Sequence, residues 1–154
     1  MTDLEATATE VLTASRALLG VVARSLVPVL DQVTIPQFRV LVILSTADEP
    51  IRNGDLAAML GVHPSTFTRT ADRLVNGGWV IRAENPENRR ETLIQLTFEG
   101  RRLVDQVTDD RRREISSILA RLEPEDRRLV LEAMATFARA AGEPRVAELA
   151  ALGV

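Results

Sequence analysis

One stretch of the sequence, residues 64–76, places hydroxyl, amide and guanidinium groups on one side of a predicted helix. A proline at its start and Gly77-Gly78 at its end indicate helix boundaries, because proline fits a first turn and glycine readily adopts the left-handed conformation after a last one. At about 100° per residue the apolar side chains fall on the other side. The polar side carries Ser65, Arg69, Asp72, Arg73 and Asn76, with Thr66 and Thr68 on its flanks. Such groups hydrogen-bond base edges and phosphates, and an ordinary amphipathic surface helix is the alternative interpretation.

A shorter predicted helix, residues 56–60, precedes this one across the turn Gly61-Val62-His63. Two helices joined by a three-residue turn that contains glycine form a helix-turn-helix, whose second helix can lie in a DNA major groove. His63 stands directly before the second helix. Its imidazole can accept a hydrogen bond from a helix N–H or contact a phosphate, and a plain exposed turn residue is the alternative.

After the second helix the periodicity changes from helical to alternating. Residues 79–84 and 91–97 are predicted strands, and the polar segment between them contains a turn-forming Asn-Pro pair. A hairpin directly after a helix-turn-helix is the wing of a winged helix. The residues at its tip are Asn88, Arg89 and Arg90. Arginines at this position suit a narrow, electronegative minor groove, and a solvated turn is the alternative.

The net charge of −3 hides an uneven distribution. Residues 52–102 hold eight arginines and six acidic residues, which gives this segment a charge of +2. The rest of the chain, with eleven arginines and sixteen acidic residues, carries −5. The positive charge therefore lies in the middle third of the chain, which fits a compact DNA-binding surface better than a general polyanion binder.

Several function classes are not expected. The sequence has no cysteine and one histidine, which excludes disulfides, thiolate catalysis and a Cys/His zinc site, and no metal or cofactor is predicted. An enzyme is not predicted either, because Ser65 is too near His63 for triad geometry and no P-loop is present. The acidic, polar N-terminus is no signal peptide, and no apolar run is expected to reach the roughly 18–20 residues of a membrane span. We therefore expect a cytoplasmic protein.

The segment before the helix-turn-helix is predicted to form two helices and a short strand. The first helix, capped by Asp3 and ending near residue 27, carries a long apolar stripe. Thr34 caps the second, which is apolar on most faces and therefore expected to be central and buried. Residues 51–52 are predicted to form a strand, and Asn53 to cap the next helix.

Two further helices are predicted after the wing. Thr97 caps a helix over residues 98–122, and the last main helix ends near residue 141. Residues 145–154 are expected to add one more short helix. The apolar stripe of the first helix has little sequence beside it to bury it, so we expect its partner in the C-terminal helices or in a second subunit.

This order of elements resembles the MarR (multiple antibiotic resistance regulator) family over residues 4–141. The residues that carry the resemblance are Thr34-x-x-Gln37-Phe38-Arg39-Val40-Leu41, Leu56-Ala57-x-x-Leu60-Gly61-Val62, Thr68-Arg69-x-x-Asp72-Arg73-Leu74, Gly78-Trp79-Val80 and Arg89-Arg90-x-x-x-Ile94-x-Leu96-Thr97-x-x-Gly100. Two positions depart from the family pattern. Asn88 stands where the family usually has an acid before the arginine pair, so the wing tip is expected to be less ordered. His63 stands where serine or threonine is common.

The resemblance implies a mainly α fold, a winged helix-turn-helix with N- and C-terminal helices forming a dimerisation region. Residues 1–33 and 98–154 would be the dimerisation helices, and residues 34–97 the DNA-binding region. It further implies a homodimer that binds an inverted repeat in double-stranded DNA. Such a protein regulates transcription, usually as a repressor that a small, often aromatic, ligand releases.

In the family the ligand lies between the dimerisation helices and the winged helix. The candidate lining residues here are Leu18, Val22, Phe38, Val42 and Trp79. For each of them a place in the plain core is the alternative. The rival function is a winged-helix DNA-binding or protein-interaction module that senses no ligand.

Overall fold

The computed structural model describes residues 2–142 of the chain, which are mainly helical. In chain order the elements are α1 (Asp3–Leu26), a short 3-10 helix (Val27–Val29), α2 (Ile35–Ser45), β1 (Ile51–Arg52), α3 (Asn53–Met59), α4 (Pro64–Asn76), β2 (Val80–Glu84), β3 (Thr92–Leu96), α5 (Phe98–Leu119) and α6 (Pro124–Ala140). Helices α3 and α4 and the β2–β3 hairpin form the predicted helix-turn-helix and wing. Of the described residues, 2–112 form one compact unit and 113–142 form a second.

Capping boxes begin α1 and α2. In such a box the cap hydroxyl and the side chain three residues later each accept a bond from the other residue's backbone N–H. Thr34 and Gln37 form the box of α2, with bonds of 3.4 and 2.8 Å, and the predicted cap is confirmed. Thr2 and Glu5 form the box of α1, with bonds of 3.2 and 2.7 Å. The prediction of Asp3 as the cap is therefore wrong, because Thr2 has the required glutamate three residues later and Asp3 does not.

The three strands form one antiparallel sheet in the order β1-β3-β2. In the hairpin Val80 lies opposite Leu96 and Glu84 opposite Thr92, which confirms both predicted strands to within one residue at each end. Strand β1 pairs with β3 and holds Arg52 in the extended conformation of a helix N-cap. Arg52 thus precedes α3, and the prediction that Asn53 caps this helix is wrong, since Asn53 is its first residue.

The core of the first unit fixes the helix-turn-helix to the sheet. Its largest fully buried side chains are Phe67, Leu41, Leu56, Leu74, Ile94, Val21, Val29, Val40, Val80 and Val107. Helix α2 buries four apolar side chains here, which confirms its central position. Ile35 and Val42 of α2 are exposed, so the helix is not buried on every side.

Helices α1 and α6 present apolar side chains to solvent. In α1 the buried residues are Val21, Ser25 and Leu26, whereas Leu4 is 78% exposed and Leu19 67%. Helix α6 has no buried residue, and its Leu131 is 68% exposed. The apolar stripe predicted for the first helix is therefore present and largely uncovered, and α6 also exposes apolar side chains.

The expectation that no apolar run reaches the length of a membrane span is wrong. The helical segment Asp3–Val29 has 27 residues and contains an 18-residue window with a mean hydropathy of 1.3, so it is long and apolar enough to cross a membrane. This window contains at most two charged side chains. Only the length and the composition of this segment indicate a membrane span. A core helix in a soluble protein can have the same length and composition.

Helix α5 begins where predicted and ends earlier. Thr97 Oγ1 accepts a bond from the N–H of Gly100 at 3.0 Å, which confirms it as the cap. The helix ends at Leu119 rather than near residue 122, because the N–H of Leu122 bonds the carbonyl of Leu119, three residues back, and tightens the turn. The helix predicted for residues 145–154 lies outside the described residues.

Gly100 occupies a position in α5 where a side chain does not fit. A Cβ atom here would collide with the carbonyl oxygen of Trp79 and would lie 2.8 Å from Leu96 Cδ1. We expect Gly100→Ala to lower the free energy of unfolding by about 1–3 kcal/mol, because either α5 or the backbone at Trp79 must move to admit the methyl group.

Gly54→Ala is the matched control for this substitution. Nothing lies within 4 Å of a Cβ added at Gly54, so its stability should be unchanged or higher, since alanine favours a helix more than glycine does. Urea unfolding of both variants measures the difference. An equal loss in the two variants would contradict the close contact at Gly100.

Candidate nucleic-acid interface

Helix α4 buries apolar side chains on one side and exposes polar side chains on the other. Phe67, Ala71 and Leu74 are at most 1% exposed and anchor the helix in the core. The residues predicted to contact DNA are all exposed: Ser65, Thr66, Thr68, Arg69 and Arg73. The structure brings them onto one surface, and their contact with DNA stays a prediction.

His63 caps the N-terminus of α4. Its Nδ1 accepts a bond from the backbone N–H of Ser65 at 3.3 Å and lies 2.8 Å from Ser65 Oγ. Because a backbone N–H can only donate, this nitrogen carries a lone pair, and the Ser65 hydroxyl donates to it. The hydroxyl oxygen of Ser65 is then left to accept a bond from outside the helix. Of the two interpretations of His63, the structure favours the helix cap.

The Thr68 hydroxyl is also engaged within the protein. It donates to the carbonyl of Pro64 at 2.9 Å and accepts from Asn53 Nδ2 at 3.5 Å. Thr68 can therefore offer only its remaining lone pair to a ligand. Asn53, at the start of α3, was not among the predicted site residues, and no local pattern indicates its contact with a side chain of the next helix.

The wing tip is organised by backbone bonds and one buried amide. Asn85 is only 5% exposed; its Nδ2 donates to Glu91 Oε2 at 2.9 Å, and its Oδ1 accepts from the N–H of Glu87 at 3.0 Å. The two ends of the tip are thereby joined. The turn-forming Asn-Pro pair in the sequence signals this residue, although the sequence interpretation did not include it in the site.

Asn88, Arg89 and Arg90 are exposed between β2 and β3, as predicted. Asn88 Oδ1 accepts a bond from the backbone N–H of Arg90 at 3.2 Å. This bond needs an acceptor oxygen and not a charge, so an amide forms it as a carboxylate would. The departure from the family pattern at Asn88 thus leaves this turn intact.

Two ion pairs connect the elements of the interface. Arg52 Nε of β1 lies 3.2 Å from Glu91 Oε2 at the base of the wing. Arg82 Nη2 of β2 lies 2.7 Å from Asp72 Oδ1 of α4. Sequence reasoning missed both pairs, because each joins two elements whose packing only the fold defines.

One of the five predicted pocket residues, Trp79, lines a cleft near the start of α5. Trp79 is half-buried and lines a cleft of about 210 Å³ together with Gln32, Glu99, Arg102, Leu103 and Gln106. The other four predicted residues do not line this cleft: Phe38 is buried in the core, Val22 is half-buried, and Leu18 and Val42 are exposed. The pocket formed by all five stays a prediction.

A larger groove of about 520 Å³ runs between the start of α2 and α4. Its lining is mostly apolar and includes Pro36, Val40, Leu60, Val62 and Phe67, with Thr66, Thr70 and Arg73 from α4.

Within residues 2–142 no group of three or more histidine, aspartate or glutamate side chains is placed to hold a metal ion.

Comparison with known proteins finds similarity to transcriptional regulators. The model of the MarR family matches residues 33–92. The HTH-type transcriptional regulator YdgJ of Bacillus subtilis is 31% identical over 99 residues, which are 64% of this chain and 60% of YdgJ. The multiple antibiotic resistance protein MarR of Escherichia coli is 38% identical over 74 residues, 48% of this chain and 51% of that protein. The matches thus span between half and two thirds of these two relatives.

A solved structure extends the likeness to nearly the whole chain. RV1404 from Mycobacterium tuberculosis is 42% identical, with a TM-score of 0.82, over 95% of this chain and 99% of RV1404. The likeness therefore includes the helices on both sides of the winged helix, which the family model does not cover. Together with the helix-turn-helix and wing described above, these likenesses show that the chain belongs to the MarR family of transcriptional regulators.

Proposed function

We propose that this protein binds double-stranded DNA at specific sequences and so regulates transcription from the cytoplasm. The observation that supports this most strongly is the combination of α4 and the wing. Helix α4 exposes hydroxyls and guanidiniums over a buried apolar side, and the Asp72–Arg82 ion pair joins it to the arginine-tipped hairpin. A helix with such a face fits the major groove, and an arginine-tipped wing fits the adjacent minor groove.

The roles of the α4 residues follow from their chemistry. Arg69 and Arg73 can each bond a guanine edge through two N–H groups or neutralise a phosphate. Ser65 and Thr68, whose hydroxyl hydrogens are used within the protein, would accept from the amino groups of adenine or cytosine. Thr66 lies beside them on the exposed surface and would add a further hydroxyl.

The wing residues would position the protein rather than select bases. Arg89 and Arg90 extend from a tip whose backbone is fixed by Asn85 and Asn88. Guanidiniums inserted in the minor groove are attracted by its negative potential, which depends on groove width more than on individual bases. Asn88 would lie at the edge of this contact.

Substitution of the arginines separates the two roles. A duplex selected by the wild-type protein from a random library serves as the probe in gel shifts at several salt concentrations. Arg69→Ala should relax the base preference and weaken binding by about 1–3 kcal/mol. Arg89→Ala or Arg90→Ala should weaken binding to all sequences and flatten its dependence on salt.

Arg16→Ala is the control, because Arg16 is exposed on α1, outside the proposed interface. This variant should bind as the wild-type protein does. Undiminished binding by all three interface variants would contradict the assignment of these residues. If the wild-type protein selects no duplex at all, the proposed function itself is wrong.

We further propose that the protein is a homodimer that binds an inverted repeat. The apolar residues exposed on α1 support a second copy as their partner, since a stripe of leucines left in water costs free energy. Leu4, Leu12 and Leu19 fall within one side of α1 and are 56–78% exposed. The exposed apolar residues of α6 are consistent with the same role.

A charge on this stripe should disrupt the dimer. We expect Leu19→Glu to shift the protein towards monomer in sedimentation velocity, because dimer formation would bury the carboxylate. Ala17→Glu introduces the same charge at an exposed position on the other side of α1 and should leave the dimer intact. Equal behaviour of the two variants would rule out this side of α1 as the dimer interface.

We also propose that the protein is a repressor and that a small aromatic ligand releases it from DNA. Trp79, the single tryptophan, is half-buried and lines the 210 Å³ cleft, to which it contributes apolar surface. Titration with aromatic acids such as salicylate or benzoate should change its fluorescence and weaken DNA binding over the same concentration range. A change in neither would favour the module that senses no ligand.

A further inference from the structure

Asp72 is the only acidic residue in α4, and it lies among the residues proposed to contact DNA. Its neighbours on the helix surface include Arg69, one turn earlier, and Arg73 follows it directly. The Asp72 side chain is 50% exposed. An unpaired carboxylate at this position would be repelled by the phosphates of a bound duplex.

Strand β2 supplies the countercharge. Arg82 Nη2 lies 2.7 Å from Asp72 Oδ1, and the Arg82 side chain is 35% exposed, less than its partner. Arg82 lies opposite Ile94 of β3, so the sheet fixes the position of its backbone. The guanidinium therefore reaches α4 from a rigid element and not from a loop.

We infer that Arg82 is a positioning residue for DNA binding that acts through Asp72. By holding the carboxylate in an ion pair it cancels the one negative charge of α4. Arg82 itself contacts no DNA. This inference rests on the proposed function, because it concerns the same surface.

Two other roles for Arg82 make different predictions. A direct contact with phosphate would make the loss of Arg82 costly whether or not Asp72 is present. A purely structural ion pair would make the loss of either partner equally costly. Only a role through Asp72 makes the loss of arginine harmful and the loss of aspartate harmless.

A double-mutant cycle distinguishes these roles. The variants are Arg82→Gln, Asp72→Asn and the two combined, tested on the duplex selected by the wild-type protein. Arg82→Gln should weaken binding about tenfold, because it leaves Asp72 unpaired beside the DNA. Asp72→Asn should bind as tightly as the wild-type protein or more tightly. The double variant should bind within about threefold of Asp72→Asn.

Thermal unfolding of each variant keeps stability apart from binding. A partly exposed ion pair contributes little to stability, so all variants should remain folded at the temperature of the binding assay. Arg16→Gln is the control for loss of one positive charge, since Arg16 is exposed on α1, and it should leave affinity unchanged.

Each contrary result overturns the inference. If Arg82→Gln causes an equal loss in the wild-type protein and in the Asp72→Asn variant, Arg82 contacts the DNA itself. A tenfold loss from Asp72→Asn would make the pair purely structural. Unchanged binding by Arg82→Gln would remove any role for it. Failure of the wild-type protein to bind any duplex would instead overturn the proposed function, and these outcomes are therefore distinguishable.

Discussion

Burial of one side of α4 is the constraint on which the rest of the interface depends. The helix is mostly polar, and Phe67, Ala71 and Leu74 are the side chains that hold it in the core. Full burial of a large apolar side chain stabilises a fold by about 1.5–3 kcal/mol, so Phe67 and Leu74 dominate this attachment. The direction in which Arg69 faces the solvent is consequently set by the packing on the opposite side of the same helix.

Much of this arrangement could be predicted from the sequence, because periodicity shows the type of each element and which of its sides is apolar. The change from helical to alternating pattern after α4 located the wing, and the central position of α2 followed from its composition. Errors arose where neighbouring residues competed for one role. Thr2 and Asp3 can both cap a helix, and the choice between them depends on which has a glutamate at the right distance. Arg52, and not Asn53, is the N-cap residue of α3, because the pairing of β1 with β3 holds its backbone in an extended conformation.

Contacts between elements were beyond sequence reasoning. The pairs Asp72–Arg82 and Arg52–Glu91, and the bond from Asn53 to Thr68, each join residues whose proximity depends on packing of the whole unit. These contacts alter the chemistry of the interface and not merely its stability. Thr68 stands on the exposed surface as predicted, yet its hydroxyl hydrogen is already used, so the same residue acts as an acceptor only.

The ion pairs also decide which arginines of this chain, whose net charge is −3, are left to meet a duplex. Arg52 and Arg82 are paired with acidic residues, and these pairs add little net charge to the surface. Arg69, Arg89 and Arg90 are exposed, and within residues 2–142 none of them forms an ion pair. A sum over the sequence counts all of these arginines equally. The charge that a duplex would meet is instead decided by which acids the fold has already neutralised, and for α4 that acid is Asp72.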